Sequence, residues 1–387
     1  MGTFRNSRRD LLSAMALAPL VGAAACKKKN NGIVIGAYLS MTGGEAEFGT
    51  STRNGLQIGI EEINGRGGLL GQQIRLVVED TRGDSTEAAS AVTRLIDREG
   101  AAVIIGEVAS SLSLSGGRVA QRRRVPMVSP SSTNEDVTRV GDYIFRVCFI
   151  DPFQGAVMAR FAKELQVNGA AVQKVAIFRD EASAYSTGLA RAFRETFTRL
   201  GGEIVEESSY RKGDTHFSAQ LSGMLAKGPQ AVFVPGYYTE VALIAREARA
   251  AGFTGPFLGG DGWDAPALFR NDDNKLVGSY FSEGFAPDHP TTPVGQRFVQ
   301  QFSQKYRTEA NGLAALGYDA LVVAADAIRR ANSADGTAIR NALAATRNVE
   351  GATGRISIDN ERNAVKGAVI LEVREDSFRF HRAIEAT

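Results

Sequence analysis

Residues 54–80, NGLQIGIEEINGRGGLLGQQIRLVVED, constrain the fold more than any other stretch. They read as an amphipathic helix, a glycine-rich turn and a β-strand ending in a carboxylate. A further apolar run, 33–39, precedes them, so the chain opens as β-α-β. Parallel strands joined through a helix need that helix against the sheet, with a right-handed crossover. The alternation then continues almost unbroken. Strands are predicted at 33–39, 74–79, 103–105, 127–129, 175–179, 204–208, 231–235, 257–259 and 280–283. Several are continuous apolar runs, as buried parallel strands are. Between them lie helical stripes such as Ala88, Val92, Leu95, Ile96 and Leu189, Ala192, Phe193, Thr196, Leu200.

The rhythm appears twice, once before residue 150 and once after. Asp151 is expected as the N-cap of a helix running over 153–165, and β-α units restart at Lys174. A chain of 387 residues exceeds one ordinary core. We therefore expect an α/β protein of two similar doubly wound parallel-sheet lobes. A helical block over 293–345, a strand near 355–358 and a hairpin (369–374, turn 375–377, 378–382) complete the pattern.

Residues 1–26 read as a signal peptide. Ser7-Arg8-Arg9-Asp10-Leu11-Leu12 resembles the twin-arginine export motif, and 11–25 is an apolar run too short to span a bilayer. Cys26 follows Ala23-Ala24-Ala25 and resembles a lipoprotein processing site. A lipid on Cys26 would tether the chain to a membrane, with 27–32 as a polar linker. The other reading, a leader simply cleaved next to an incidental cysteine, stays open. The full chain carries a formal charge of +2, which resides in the leader (Arg5, Arg8, Arg9 against Asp10). A neutral body argues against nucleic acid. The second cysteine, Cys148, lies in the apolar run 143–149, where packing as a small hydrophobe is expected.

The opening β-α-β and the loops after the strands resemble the periplasmic branched-chain amino-acid-binding family, the capture components of ABC importers. The resemblance covers 33–383. It implies a type I periplasmic binding fold, two lobes joined by a three-strand hinge, with crossovers near 147–151, 283–286 and 351–355. Lobe 1 would comprise 33–149 plus 285–353, and lobe 2 would comprise 150–284 plus 354–387. It also implies ligand roles. Ser110 and Thr133 would bind a carboxylate, and the Ser131 carbonyl an ammonium. Asp261 would pair with that ammonium, where the best-known members carry Glu. Phe48, Tyr185, Tyr237, Tyr238, Trp263 and Phe285 would line the cleft. Read without the resemblance, Ser110 or Ser111 also fits a helix cap, Thr133 with Asp136 a capping box, and Asp261 a turn residue.

No catalytic constellation competes with this reading. His216, His289 and His381 lack metal-ligand spacing, and neither a nucleophile elbow nor a phosphate loop occurs. Glu45 and Glu47 in the first loop would repel a pyrophosphate. The expectation is therefore a binding protein, not an enzyme, without cofactor or metal, on the extracytoplasmic face. It would capture an amino acid with a branched, apolar or aromatic side chain and present it to an ABC permease. The alternative is a ligand-sensing lipoprotein for amides or small carboxylates.

Overall fold

The computed structural model describes residues 32–269 and 274–385. The leader, Cys26 and most of the proposed linker lie outside the described residues. Two sheets organise the molecule. The first has five parallel strands, ordered Ile74–Asp80, Ile33–Leu39, Val103–Gly106, Met127–Ser129, Ile144–Arg146. The second has seven strands. Glu203–Tyr210, Lys174–Asp180, Ala231–Phe233, Phe257–Gly259 and Tyr280–Glu283 run parallel. The antiparallel hairpin Ala368–Val373 and Phe378–Ile384 closes one edge. In each lobe the parallel strands follow the order second, first, third, fourth, fifth. The two lobes are thus alike in topology, as the repeated rhythm predicts.

The central strands of each sheet are buried on both faces, which is why they are apolar without alternation, whereas the edge strand Phe378–Ile384 alternates half-buried with exposed residues. Ile33, Ile35, Ala37 and Leu39 enter one core, and Val34 and Tyr38 the opposite one. Val175 and Ile177 face the helix Ala184–Arg199, while Ala176 and Phe178 face the other side. Phe193 stacks on Phe233 with ring centroids 4.0 Å apart. Fully burying such a ring stabilises by about 1.5–3 kcal/mol.

Helix Ala46–Gly65 begins earlier than the amphipathic pattern from residue 54 suggests, so Phe48 sits on its first turn. The block 293–345 is three helices, Pro293–Tyr306, Gly312–Ala331 and Gly336–Ala344. Asn311 and Asp335 cap the later two through their side chains. Asp151 is not an N-cap. It is the first residue of helix Asp151–Glu164, and Ile150 holds the cap position. Nor does Thr133 form a capping box, because the short helix Asp136–Arg139 follows Glu135 and Asn134 Oδ1 accepts from Asp136 N–H at 3.0 Å.

The boundary expected at 353/354 also moves. Strands Val349–Gly351, Gly354–Ile358 and Ala364–Val365 form a separate small sheet. Ile356, Ile358 and Ala364 lie in the core of the first lobe, and Arg146 N–H donates to Arg362 O. These apolar side chains find cover there, so the chain enters the second sheet only at Ala368. Among the described residues, no helix is long and apolar enough to cross a membrane.

Candidate functional site

The strand order reverses between the first and third strands of each lobe. Loops at such a switch point diverge and leave a crevice at the strands' carboxyl ends. In the first lobe these loops are rich in serine, and most of the hydroxyls are committed to the backbone. Ser113 and Ser132 bond each other at 2.7 Å. Ser129 donates to the Glu107 carbonyl at 3.0 Å, and whichever of Ser113 and Ser132 accepts from the other is free to donate to it as well. The Glu107 carboxylate, fully buried, accepts from Ser40, Thr81, Val108 N–H and Ala109 N–H at 2.6–2.9 Å. Burial nevertheless pushes its carboxyl above the usual range. This lattice fixes the loop and leaves Ser110 and Ser131 facing the crevice. Ser110 is the first residue of helix Ser110–Arg123, so that helix presents its positive end there. Neither Ser110 nor Ser111 caps it. Ser110 Oγ accepts from Asn134 N–H at 3.3 Å, and Ser111 Oγ from Ala184 N–H of the facing lobe at 3.1 Å.

The second lobe contributes the turn after strand Phe257–Gly259. Residues Asp261–Trp263 form one 3₁₀ turn. Gln154 Nε2 donates to Asp261 Oδ1 at 2.8 Å, and Gly262 N–H donates to the Tyr185 hydroxyl at 3.2 Å. Burial raises the Asp261 carboxyl above its ordinary value, against the hydrogen bonds from Gln154 and Tyr185. Tyr185 stacks on Tyr237 at 5.3 Å, and Tyr237 meets Phe48 of the first lobe edge-on at 5.4 Å.

Together Phe48, Val108, Ser110, Ser131, Tyr185, Tyr237, Asp261, Gly262 and Leu313 line a small, tight cavity of about 10 Å³ between the lobes. Among the described residues, no Lys or Arg lines this cavity. Its wall is aromatic and aliphatic, with two hydroxyls on one side and a carboxylate from the other lobe. The Ser131 hydroxyl is buried with no partner among the described residues. An apolar enclosure with few convergent polar groups suits a small molecule. The unpaired acid suits one carrying a positive group.

Six of the ten sequence candidates line this space: Phe48, Ser110, Ser131, Tyr185, Tyr237 and Asp261. Thr133 does not. Its hydroxyl is buried beside the Asp151 carboxyl, and its carbonyl accepts from Asp151 N–H at 2.9 Å. Trp263 is 0 % exposed in the second-lobe core, against Phe281, with its indole N–H donating to Val234 O. Tyr238 bonds Gly44 O across the lobes at 2.6 Å. Phe285 packs on Phe298 and borders a different pocket beside the second crossover, with Pro266, Phe269 and Phe378. Sequence reasoning missed Val108, Leu313 and Gln154. Val108 lies in the Ser110 loop and could have been found there. Leu313 arrives from a helix 200 residues away and carries no local signal.

The chain matches the periplasmic binding protein family model over residues 32–377. It is 29% identical to Leu/Ile/Val-binding protein homolog 3 of Brucella melitensis, covering 90% of this chain and 92% of that one. Among solved structures it resembles the leucine-binding protein LivK of Thermotoga maritima, with 43% identity and TM-score 0.87, covering 91% of this chain and 99% of that one. It also resembles LivJ of Streptococcus pneumoniae in complex with isoleucine, with 32% identity and TM-score 0.84, covering 92% and 99%. Sequence match, sheet order and interlobe cavity agree, and the chain belongs to the periplasmic binding protein family.

Proposed function

We propose that the protein is the extracytoplasmic capture component of an ABC importer, and that its ligand is an α-amino acid with a branched or otherwise apolar side chain. The observation that carries this is the interlobe cavity, with hydroxyls from one lobe and a buried carboxylate from the other. Ser110, Ser131 and the helix start at Ser110 receive the carboxylate. Thr133, whose hydroxyl is buried beside Asp151, is the further candidate for that group. Asp261, oriented by Gln154, pairs with the ammonium. Phe48, Val108, Tyr185, Tyr237 and Leu313 enclose the side chain. The names of the leucine- and isoleucine-binding relatives support this ligand class. A ligand touching both lobes favours the closed arrangement by its additional contacts there. The lobes swing on three crossover segments, the third near residues 366–367.

Calorimetry with leucine, 4-methylpentanoate and isoamylamine tests the assignment. Leucine should bind, and each analogue should lose tenfold or more, about 1.4 kcal/mol. Equal binding of 4-methylpentanoate would remove the ammonium from the reading. Delivery to a membrane permease and a lipid on Cys26 complete the proposal. Cys26→Ala should move the exported protein from the membrane fraction to the soluble one.

A further inference from the structure

The lobes also meet outside the cavity, at the loop that leads into helix Ala46–Gly65. Lys212 lies on an exposed turn of the second lobe, where Arg211 N–H is held by Asp214 at 2.8 Å. Its ammonium is 2.6 Å from Glu45 Oε1 and 3.2 Å from Gly83 O, both in the first lobe. Beside it the Tyr238 hydroxyl donates to Gly44 O at 2.6 Å, and Glu47 N–H donates to that hydroxyl at 3.4 Å. The Tyr238 ring rests edge-on against Phe48, itself part of the cavity wall. Glu45 is almost wholly buried, whereas Lys212 is 46% exposed. Glu45 Oε2 has no partner among the described residues.

This is an asymmetric ion pair. One end is sealed by lobe contact, and the other stays in water. Neither Lys212 nor Glu45 touches the cavity. We propose that Lys212, together with Tyr238, is a clasp that holds the Gly43–Glu45 loop and the helix start behind it shut over bound ligand and so sets how long the ligand stays. The proposal rests on the reading that the lobes close on an amino acid.

A pH signature follows. Burial pushes the Glu45 carboxyl up to about 7, with Lys212 pulling it down and Glu107 and Glu240 pushing it further up. Opening returns Glu45 to water and to the ordinary carboxylate range. The closed value is the higher one, so closing takes up a proton. Closure is therefore favoured in acid and weakens as pH rises through about 7. Without Lys212 the ionised, buried Glu45 loses its counter-charge, so the deficit grows as pH rises.

Stopped-flow and calorimetry of the unaltered protein and Lys212→Met test this, using leucine, isoleucine and valine at pH 5.5 and pH 8. At pH 8, Lys212→Met should raise Kd by roughly 3- to 10-fold, mainly through faster release. At pH 5.5 the change should be under about 2-fold. Lys212→Arg should restore most of the loss. In a Glu45→Gln background Lys212→Met should add little, because the pair is already gone. An off-rate for Lys212→Met equal to that of the unaltered protein at both pH values would overturn the clasp and leave the capture reading standing. So would a loss of the same size at both. If the unaltered protein bound none of the three amino acids, the capture reading would fall and the clasp with it.

Discussion

Asp261 and Trp263 are two residues apart on one 3₁₀ turn, yet one faces the cavity and the other the core. With about three residues per turn, neighbours at that spacing point in divergent directions. Sequence proximity to a strand end therefore located the acid loop but could not say which of its side chains faces the cavity. The same limit explains Tyr238, whose neighbour Tyr237 took the cavity position. Ser110 was legible because the helix starts at that residue. Leu313 was not, since only the tertiary fold brings it in. Asp261→Ala should weaken leucine binding by tenfold or more in calorimetry, about 1.4 kcal/mol or above. Ser110→Ala should weaken binding with little change in melting temperature, because the hydroxyl accepts only a long bond from Asn134 N–H. A large melting shift with intact affinity would return Ser110 to a structural role.

At the scale of elements, the helices Ala46–Gly65 and Gly312–Ala331 cross closely enough that glycine is needed at the contact. A Cβ on Gly55 would stand 1.8 Å from Ala314 O, and one on Gly317 would stand 2.5 Å from Thr52 O. Backbone on the receiving side cannot swing away as a side chain can. Gly55→Ala should therefore destabilise by about 1–3 kcal/mol or more, read by urea titration. The central strands of both sheets were legible because double burial makes them continuous apolar runs, whereas Ile144–Arg146 was read only as part of the apolar run 143–149. The small sheet at 349–365 was read only as one strand near 355–358, since two to five residues carry little pattern. The helical block was read as one, although Asn311-Gly312 and Asp335-Gly336 carry the cap residues that divide it. Length of the apolar pattern outweighed these local signals.

For the whole molecule, several buried acids hold their protons more tightly when folded. Burial raises Asp151 to about 8 and Glu45 to about 7, and it also raises Asp261 and Asp264. Each folded value lies above the unfolded one, so each group stabilises the fold where the proton is retained. That contribution is lost as pH rises through the folded value. Acids held below their usual range, such as Asp80 and Asp142, act at lower pH and do not oppose this window. The ligand-free protein should lose stability between pH 5 and pH 8, by at least about 1.4 kcal/mol for one full unit of raised pKa. Denaturation at a series of pH values measures it. Saturating leucine should flatten the slope, because its ammonium favours ionised Asp261. The division of the first lobe across the chain has a consequence for synthesis. Leu316, Leu321, Val323, Ile328 and Ile339 cover the sheet face formed by Ile33, Ile35, Val103 and Ile105. A ribosome delivers that cover only after every parallel strand of the other lobe has emerged. Through most of translation the N-terminal sheet has only Leu56, Ile60 and Ile63 of the first helix on this face, a sandwich missing part of a slice, and the rest of its oily side waits for the lid.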